Sequence, residues 1–116
     1  MAKNSIGAGD LRHRVAFDKR TAVDDGHGNT ISDFAEQFSC RAAFRHRGGS
    51  EAVLAARLEG RQILGVYVRS SENTRQIGAD WRMRDVRTGT VYDIDAVDSV
   101  TDRQWVYLIV ESGQVA

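Results

Sequence analysis

The stretch that decides the fold is WRMRDVRTGTVYDIDAVDSVTDRQWVYLIVE, residues 81–111. Apolar and polar side chains alternate in it, and a period of two residues is typical of a half-buried β-strand. The alternating runs are WRMRDV (81–86), TVYDIDAV (90–97) and RQWVYLIVE (103–111). Gly89 allows a tight turn between the first two runs because glycine tolerates positive φ. We therefore predict a three-stranded antiparallel meander.

The last of these runs is apolar on both faces. Trp105, Tyr107 and Ile109 point one way, and Val106, Leu108 and Val110 point the other way. Such a strand either is central in the core or is half covered by a neighbouring chain. Trp105 and Tyr107 are therefore candidate interface residues.

The remaining sequence adds further strands and one predicted helix. LRHRVAF (11–17) and FSCRAAFRHR (38–47) alternate, TISDFAEQ (30–37) is a looser segment, and ILGVYVRS (63–70) is rich in β-formers. In SEAVLAARLEGRQ (50–62), a capping serine and a run of helix formers predict a helix of about three turns. The predicted fold is mainly β: a small antiparallel β-barrel or sandwich of about six strands, with one short α-helix between the third and fourth strands.

Length and composition set the domain organisation. The chain has 116 residues, which suits one domain over residues 10–111, with a flexible N-terminal arm (1–9) and a C-terminal tail (112–116). Sixteen basic and 16 acidic residues give a formal net charge of zero, so no global charge favours a nucleic acid or an anionic membrane. The N-terminus lacks the apolar run of a signal peptide, and we expect synthesis in the cytoplasm.

The loop DDGHGNT is the most unusual short segment. It contains Asp24, Asp25, Gly26, His27, Gly28, Asn29 and Thr30. The spacing of its acids does not fit an EF-hand, and no third glycine or following helix completes a phosphate-binding loop. We predict an exposed turn or a longer protruding loop.

No residue set predicts catalysis, metal binding or a cofactor. Cys40 alternates with apolar residues, which favours a buried, inert thiol. His13, His27 and His46 lack the spacing of metal ligands.

Asp93 and Asp95 share one strand face. We interpret them as a solvated face or as an ion-pair row with Arg82 and Arg84 of the neighbouring strand, rather than as catalytic carboxylates.

Arg41, Arg45 and Arg47 form a local basic patch in RAAFRHRGG (41–49). The patch either faces DNA, since phosphate contacts need only positive charge, or is the rim of a strand. A small nucleic-acid-binding β-barrel is therefore an alternative function.

The order of these segments resembles the head–tail joining family of tailed phages, also called head closure or stopper proteins, and their relatives in gene transfer agents. The resemblance runs from Gly9 to about Glu111. It is carried by GDLRHRV, the loop DDGHGN, the helix entry GGSE and the strand GTVYDI.

This resemblance implies a structural virion protein rather than an enzyme. It implies a homo-oligomeric ring between the portal–adaptor complex and the tail terminator or tail tube proteins. Such a ring extends the DNA channel, contacts DNA non-specifically and helps to retain the genome, and the loop at 24–30 faces the channel or a neighbouring ring. A tail-terminator-like ring is the nearest structural alternative.

Overall fold

The computed structural model describes residues 7–24, 26–46, 60 and 62–112. Six antiparallel strands form a closed barrel in the order β1-β2-β3-β6-β5-β4, so the mainly β prediction is confirmed. The elements are β1 (His13–Asp24), β2 (Thr30–His46), β3 (Gln62–Arg69), β4 (Arg82–Asp85), β5 (Val91–Asp98) and β6 (Trp105–Ser112), with 3-10 turns at Ala8–Asp10 and Thr74–Gln76.

The core fills the barrel with the inward side chains of all six strands. On β6, Val106, Leu108 and Val110 are fully buried, as the alternation predicts. Leu108 lies opposite Val66 of β3 in the register. The buried cluster comprises Val15, Phe17, Ala42, Leu64, Val66, Val68, Ile77, Trp81, Met83, Tyr92, Ile94, Val106, Leu108 and Val110.

The predicted meander is confirmed, with one correction to which side chains of β5 point inward. Gly89 has φ +79° in the turn between β4 and β5. Tyr92 and Ile94 point inward, but Ala96, predicted on the same face, is exposed and Val97 packs against the core instead. A β-bulge between Ile94 and Ala96 adds one residue to β5, which reverses the alternation after it.

The segments TISDFAEQ and FSCRAAFRHR belong to one continuous strand, β2. The segment predicted as a helix, 50–62, therefore follows the second strand instead of the third. Apart from Gly60 and Gln62, the first residue of β3, it lies outside the described residues.

The first two strands extend beyond the barrel. β4 pairs with β1 only over Val15–Asp18, and β3 pairs with β2 only over Ala42–His46. Past these limits, Lys19–Asp24 pairs only with the segment Thr30–Ala35, and we call this two-stranded element the ribbon. At a rise of about 3.3 Å per residue, six residues project about 20 Å.

Candidate functional site

The loop at the tip of the ribbon is an exposed turn. Gly26 and Gly28 have φ of +83° and +85°, a conformation that glycine adopts without steric cost. The carboxylate of Asp24 accepts a hydrogen bond from the Gly26 amide at 2.9 Å, which closes the turn. Asp25 lies outside the described residues. In the described ranges, no group of three or more His, Cys, Asp or Glu residues could hold a metal ion.

A buried carboxylate holds the base of the ribbon. Asp18, only 2% exposed, accepts hydrogen bonds from Nε of Arg82 at 2.7 Å and from Nε and Nη2 of Arg84 at 2.7 and 3.0 Å. Nη2 of Arg84 also donates to Glu36 at 2.6 Å. We call these four residues the clamp; they join β1, β2 and β4 where the ribbon leaves the barrel.

The clamp gives Arg82 and Arg84 a partner that the sequence did not suggest. Both guanidinium groups point at Asp18, and Asp93 and Asp95 are exposed on β5, which agrees with their interpretation as a solvated face. Asp18 was missed because its partners lie 64 and 66 residues away in the chain, so no local pattern links them.

An aromatic ring extends the clamp into the ribbon. The guanidinium carbons of Arg20 and Arg82 lie 4.9 and 4.4 Å from the centroid of the Phe34 ring, within cation–π range. A bulge aids this arrangement: Phe17 pairs with Phe38, whereas Asp18 pairs with Glu36. The extra residue, Gln37, turns Phe34 and Glu36 to the outer face, where the arginines lie.

The electrostatics of the clamp favour ionised Asp18. Burial alone would raise the pKa of Asp18, but the hydrogen bonds and positive charges of Arg84 and Arg82 outweigh it and lower that pKa. The same bonds raise the pKa of Arg84. Asp18 and Arg84 are therefore both charged at neutral pH.

The predicted basic patch is divided in the structure. Arg45 forms an ion pair with Asp10 at 3.7 Å, and Arg47 lies outside the described residues. Arg41 instead lies directly opposite Arg14 of β1 in the register.

Three arginines, Arg12, Arg14 and Arg41, line a groove beside the first 3-10 turn. We call it the arginine groove. The alternation in LRHRV already placed Arg12 and Arg14 on one outward face, which is the sequence signal for this site.

The outer face of β6 carries the two predicted aromatic residues. Trp105 is 8% exposed and packs with Leu11 and Ala43 in a second, smaller apolar cluster outside the barrel. Tyr107 is half-buried and its ring lies over Gly65, where an added Cβ would be 2.7 Å from the hydroxyl oxygen. Trp105 is thus largely covered by the chain itself, and a role of Trp105 and Tyr107 at an interface stays a prediction.

The Cys40 thiol is not activated as a nucleophile. Burial raises the pKa of the Cys40 thiol to about 11, although the positive charge of Arg14 opposes the shift. His13 stacks on Phe44 with ring centroids 3.9 Å apart, and His27 lies at the tip of the ribbon. With a pKa of about 11 the Cys40 thiol is protonated at neutral pH, whereas a reactive cysteine needs a lowered pKa.

No helix in the described ranges is long and apolar enough to cross a membrane.

Comparison with known proteins identifies the family. Among curated proteins no sequence matches the chain. The solution structure of protein SF1141 from Shigella flexneri 2a matches with a TM-score of 0.68 and 16% identity, over 93% of this chain and 97% of that one. A chain in the virion of a native gene transfer agent particle matches with a TM-score of 0.57 and 19% identity, over 91% and 97%.

These two structures share the fold, and the family follows from the sequence itself. The model of the phage head completion protein family matches residues 6–113, nearly the whole chain. This match confirms the resemblance seen in the sequence, and with it a structural role in the virion. The chain belongs to the phage head completion protein family.

Proposed function

We propose that the chain forms a homo-oligomeric ring between the portal–adaptor complex and the tail terminator or tail tube proteins. In that position it extends the DNA channel and helps to retain packaged DNA, which it contacts without sequence preference. The loop Asp24–Thr30 meets the channel or a neighbouring ring. Trp105 and Tyr107 lie near contacts between subunits.

The ribbon is the observation that carries this proposal. An isolated two-stranded hairpin is marginally stable in water, and none of the ribbon residues whose side chains the structure describes belongs to the buried core. Its base is nevertheless fixed by a carboxylate that takes three hydrogen bonds from two arginines. A projecting element that is fixed at its base but adds no core suits contact with another component of a particle.

We also propose that the chain has no catalytic activity. A thiol with a pKa of about 11 is protonated at neutral pH, and the family is one of structural head completion proteins. Asp93 and Asp95 are exposed on β5, without the burial that tunes a general acid.

The strand register allows a clean test by truncation of the ribbon. Arg20 and Phe34 are paired, so Asn-Gly in place of residues 21–33 gives a two-residue hairpin that keeps the clamp and the cation–π stack. We expect a folded barrel that cannot complement a phage lacking the gene. Counts of tailed, DNA-filled particles by electron microscopy measure this.

A second variant serves as the matched control for the strands of the ribbon. Asp24 and Thr30 are also paired, so Asn-Gly in place of residues 25–29 removes only the loop. If the loop makes the contact, both variants fail to complement; if the strands make it, only the longer truncation fails. Normal particle counts from both variants contradict a role for the ribbon in assembly.

The alternatives remain a tail-terminator-like ring and a small nucleic-acid-binding barrel. The arginine groove favours the second, because three guanidinium groups suit phosphate contacts. A titration of duplex DNA binding against salt decides it: a nucleic-acid binder loses affinity steeply as salt rises.

A further inference from the structure

The outer face of β3 and β6 carries a pocket of a different character from the arginine groove. Two tyrosines and a tryptophan of β3 and β6 form its walls. Asp98 at the end of β5 and Asp102 of the β5–β6 connection form its rim. The lining residues are Tyr67, Asp98, Thr101, Asp102, Trp105 and Tyr107. We call it the acid–aromatic pocket. Carboxylates beside aromatic faces bind guanidinium or ammonium groups.

The two carboxylates of the pocket are held in place by the backbone. Asp98 accepts hydrogen bonds from the amides of Val100 and Thr101 at 3.1 and 3.0 Å. Asp102 accepts one from the amide of Gln104 at 2.8 Å. Bonds to Thr101 and Val100 lower the pKa of Asp98, so its charge persists at neutral pH. The acidic rim is therefore fixed before any partner arrives.

The aromatic wall already takes one guanidinium from its own chain. Arg69 lies over the ring of Trp105, with its guanidinium carbon 5.3 Å from the ring centroid. Arg69 is not among the residues that line the pocket. Its position shows that the outer face of β6 accepts arginine at the edge of the pocket.

The arginine groove presents the opposite charge without a neutralising partner. Arg14 and Arg41 are directly opposite each other on β1 and β2, and like charges so placed are destabilising. Arg45 has Asp10 as a partner, whereas within the described part of the chain Arg12, Arg14 and Arg41 form no ion pair. A carboxylate from outside the subunit would relieve this repulsion.

We propose that the arginine groove of one copy docks on the acid–aromatic pocket of the next copy. The two patches lie on different strands, β1 and β2 against β3, β6 and the β5–β6 connection, and a head-to-tail contact needs two such different patches. The inference rests on the proposed ring and names its contact surfaces.

A second copy fits better than DNA because it satisfies both patches at once. DNA could neutralise the groove, but it offers no cation to the pocket. The chain has a formal net charge of zero, so the positive groove is balanced by acids elsewhere on the same molecule. In a contact between two copies, the positive groove of one copy pairs with the acidic pocket of the next copy.

Reciprocal charge reversal tests this pairing. The groove variant is R14E/R41E, and the pocket variant is D98N/D102K, in which the amide oxygen introduced by D98N can still accept the turn hydrogen bonds. Each variant alone places like charges in the contact and should self-associate at least about tenfold more weakly than the wild type. A 1:1 mixture places opposite charges in every contact and should recover association.

Sedimentation velocity at low and moderate salt measures these states, and thermal melting shows that each variant folds. R87E/D93K is the matched control, because Arg87 and Asp93 are exposed charges outside both patches. This control should associate as the wild type does.

Any of four results overturns the pairing. The wild type is monomeric at every concentration, or the folded variants each associate as well as the wild type, or the mixture stays dissociated. In the fourth result, R14E/R41E alone abolishes binding to duplex DNA and leaves self-association unchanged. The second result leaves the proposed ring intact, since the ring then uses another contact. Loss of complementation by the truncated ribbon is a separate readout of the proposed function.

Discussion

Replacement of Asp18 by asparagine should destabilise the protein more than any other single isosteric change at the surface of the barrel. The substitution keeps the shape of the side chain but removes the charge that faces Arg82 and Arg84, and it turns an amide donor toward one of them. Breaking a buried ion pair costs about 3–5 kcal/mol. Both arginine side chains are 31% exposed, so water offsets part of the loss. We expect the lower end, about 3 kcal/mol.

Urea unfolding at pH 7 measures this loss, and the melting temperature should fall by roughly 10–20 °C. The stability contributed by Asp18 should decrease as the pH falls. The pKa of folded Asp18 lies below the ordinary value of 3.8, so its stabilisation is present above about pH 4 and is lost as the pH falls through the folded pKa. The stability gap between wild type and Asp18→Asn should therefore narrow below pH 4.

Glu36→Gln is the control, because Glu36 is 55% exposed and its ion pair should contribute less than about 1 kcal/mol. Hydrogen exchange gives a second readout: amides of the ribbon should exchange faster in Asp18→Asn. A loss below about 1 kcal/mol, or a gap that is the same at pH 7 and pH 3, refutes the clamp as the support of the ribbon.

Substitutions on the outer face of β6 and β3 and alkylation of the Cys40 thiol give three further predictions. Trp105→Ala should cost about 3–5 kcal/mol in unfolding free energy because the indole is buried, and a cost under about 1 kcal/mol contradicts that packing. Gly65→Ala should cost about 1–3 kcal/mol in unfolding free energy, because the added Cβ would meet the Tyr107 ring. Tyr107→Ala in the same molecule should remove most of that penalty, and additive losses of stability in the double variant argue against the contact. Cys40 should react with iodoacetamide at pH 8 at least about tenfold more slowly than an unfolded peptide thiol, and equal rates disprove its raised pKa.

The strands of the barrel could be predicted from the sequence because they bury one face. Met83, Tyr92 and Leu108 all point inward at the alternate positions that their runs predict. Ala96 was placed wrongly, because a bulge adds one residue and nothing in the local composition marks it.

The ribbon could not be predicted because the side chains described in it do not form a buried apolar face. Its strands carry polar and charged residues on both faces, so the apolar alternation that identifies a strand stops at Phe17 although β1 continues to Asp24. The loop at its tip was recognised from its glycines. The clamp requires partners from a distant strand, which a local pattern does not reveal.

Three residues of the candidate site were chosen from the sequence, and their role at an interface stays a prediction. Trp105 and Tyr107 were identified from a strand apolar on both faces, and both lie on the outer face of β6. Arg41 was identified as well, but its neighbours in the groove, Arg12 and Arg14, come from the paired strand. Strand pairing, and not sequence proximity, brings these charges together.

Cryo-electron microscopy of particles that contain this chain tests the central claim most directly. We predict a closed ring of copies at the junction of head and tail, with each barrel in the ring wall and each ribbon in contact with a neighbouring copy or ring. A junction without this chain, or ribbons that reach only solvent, contradicts the account.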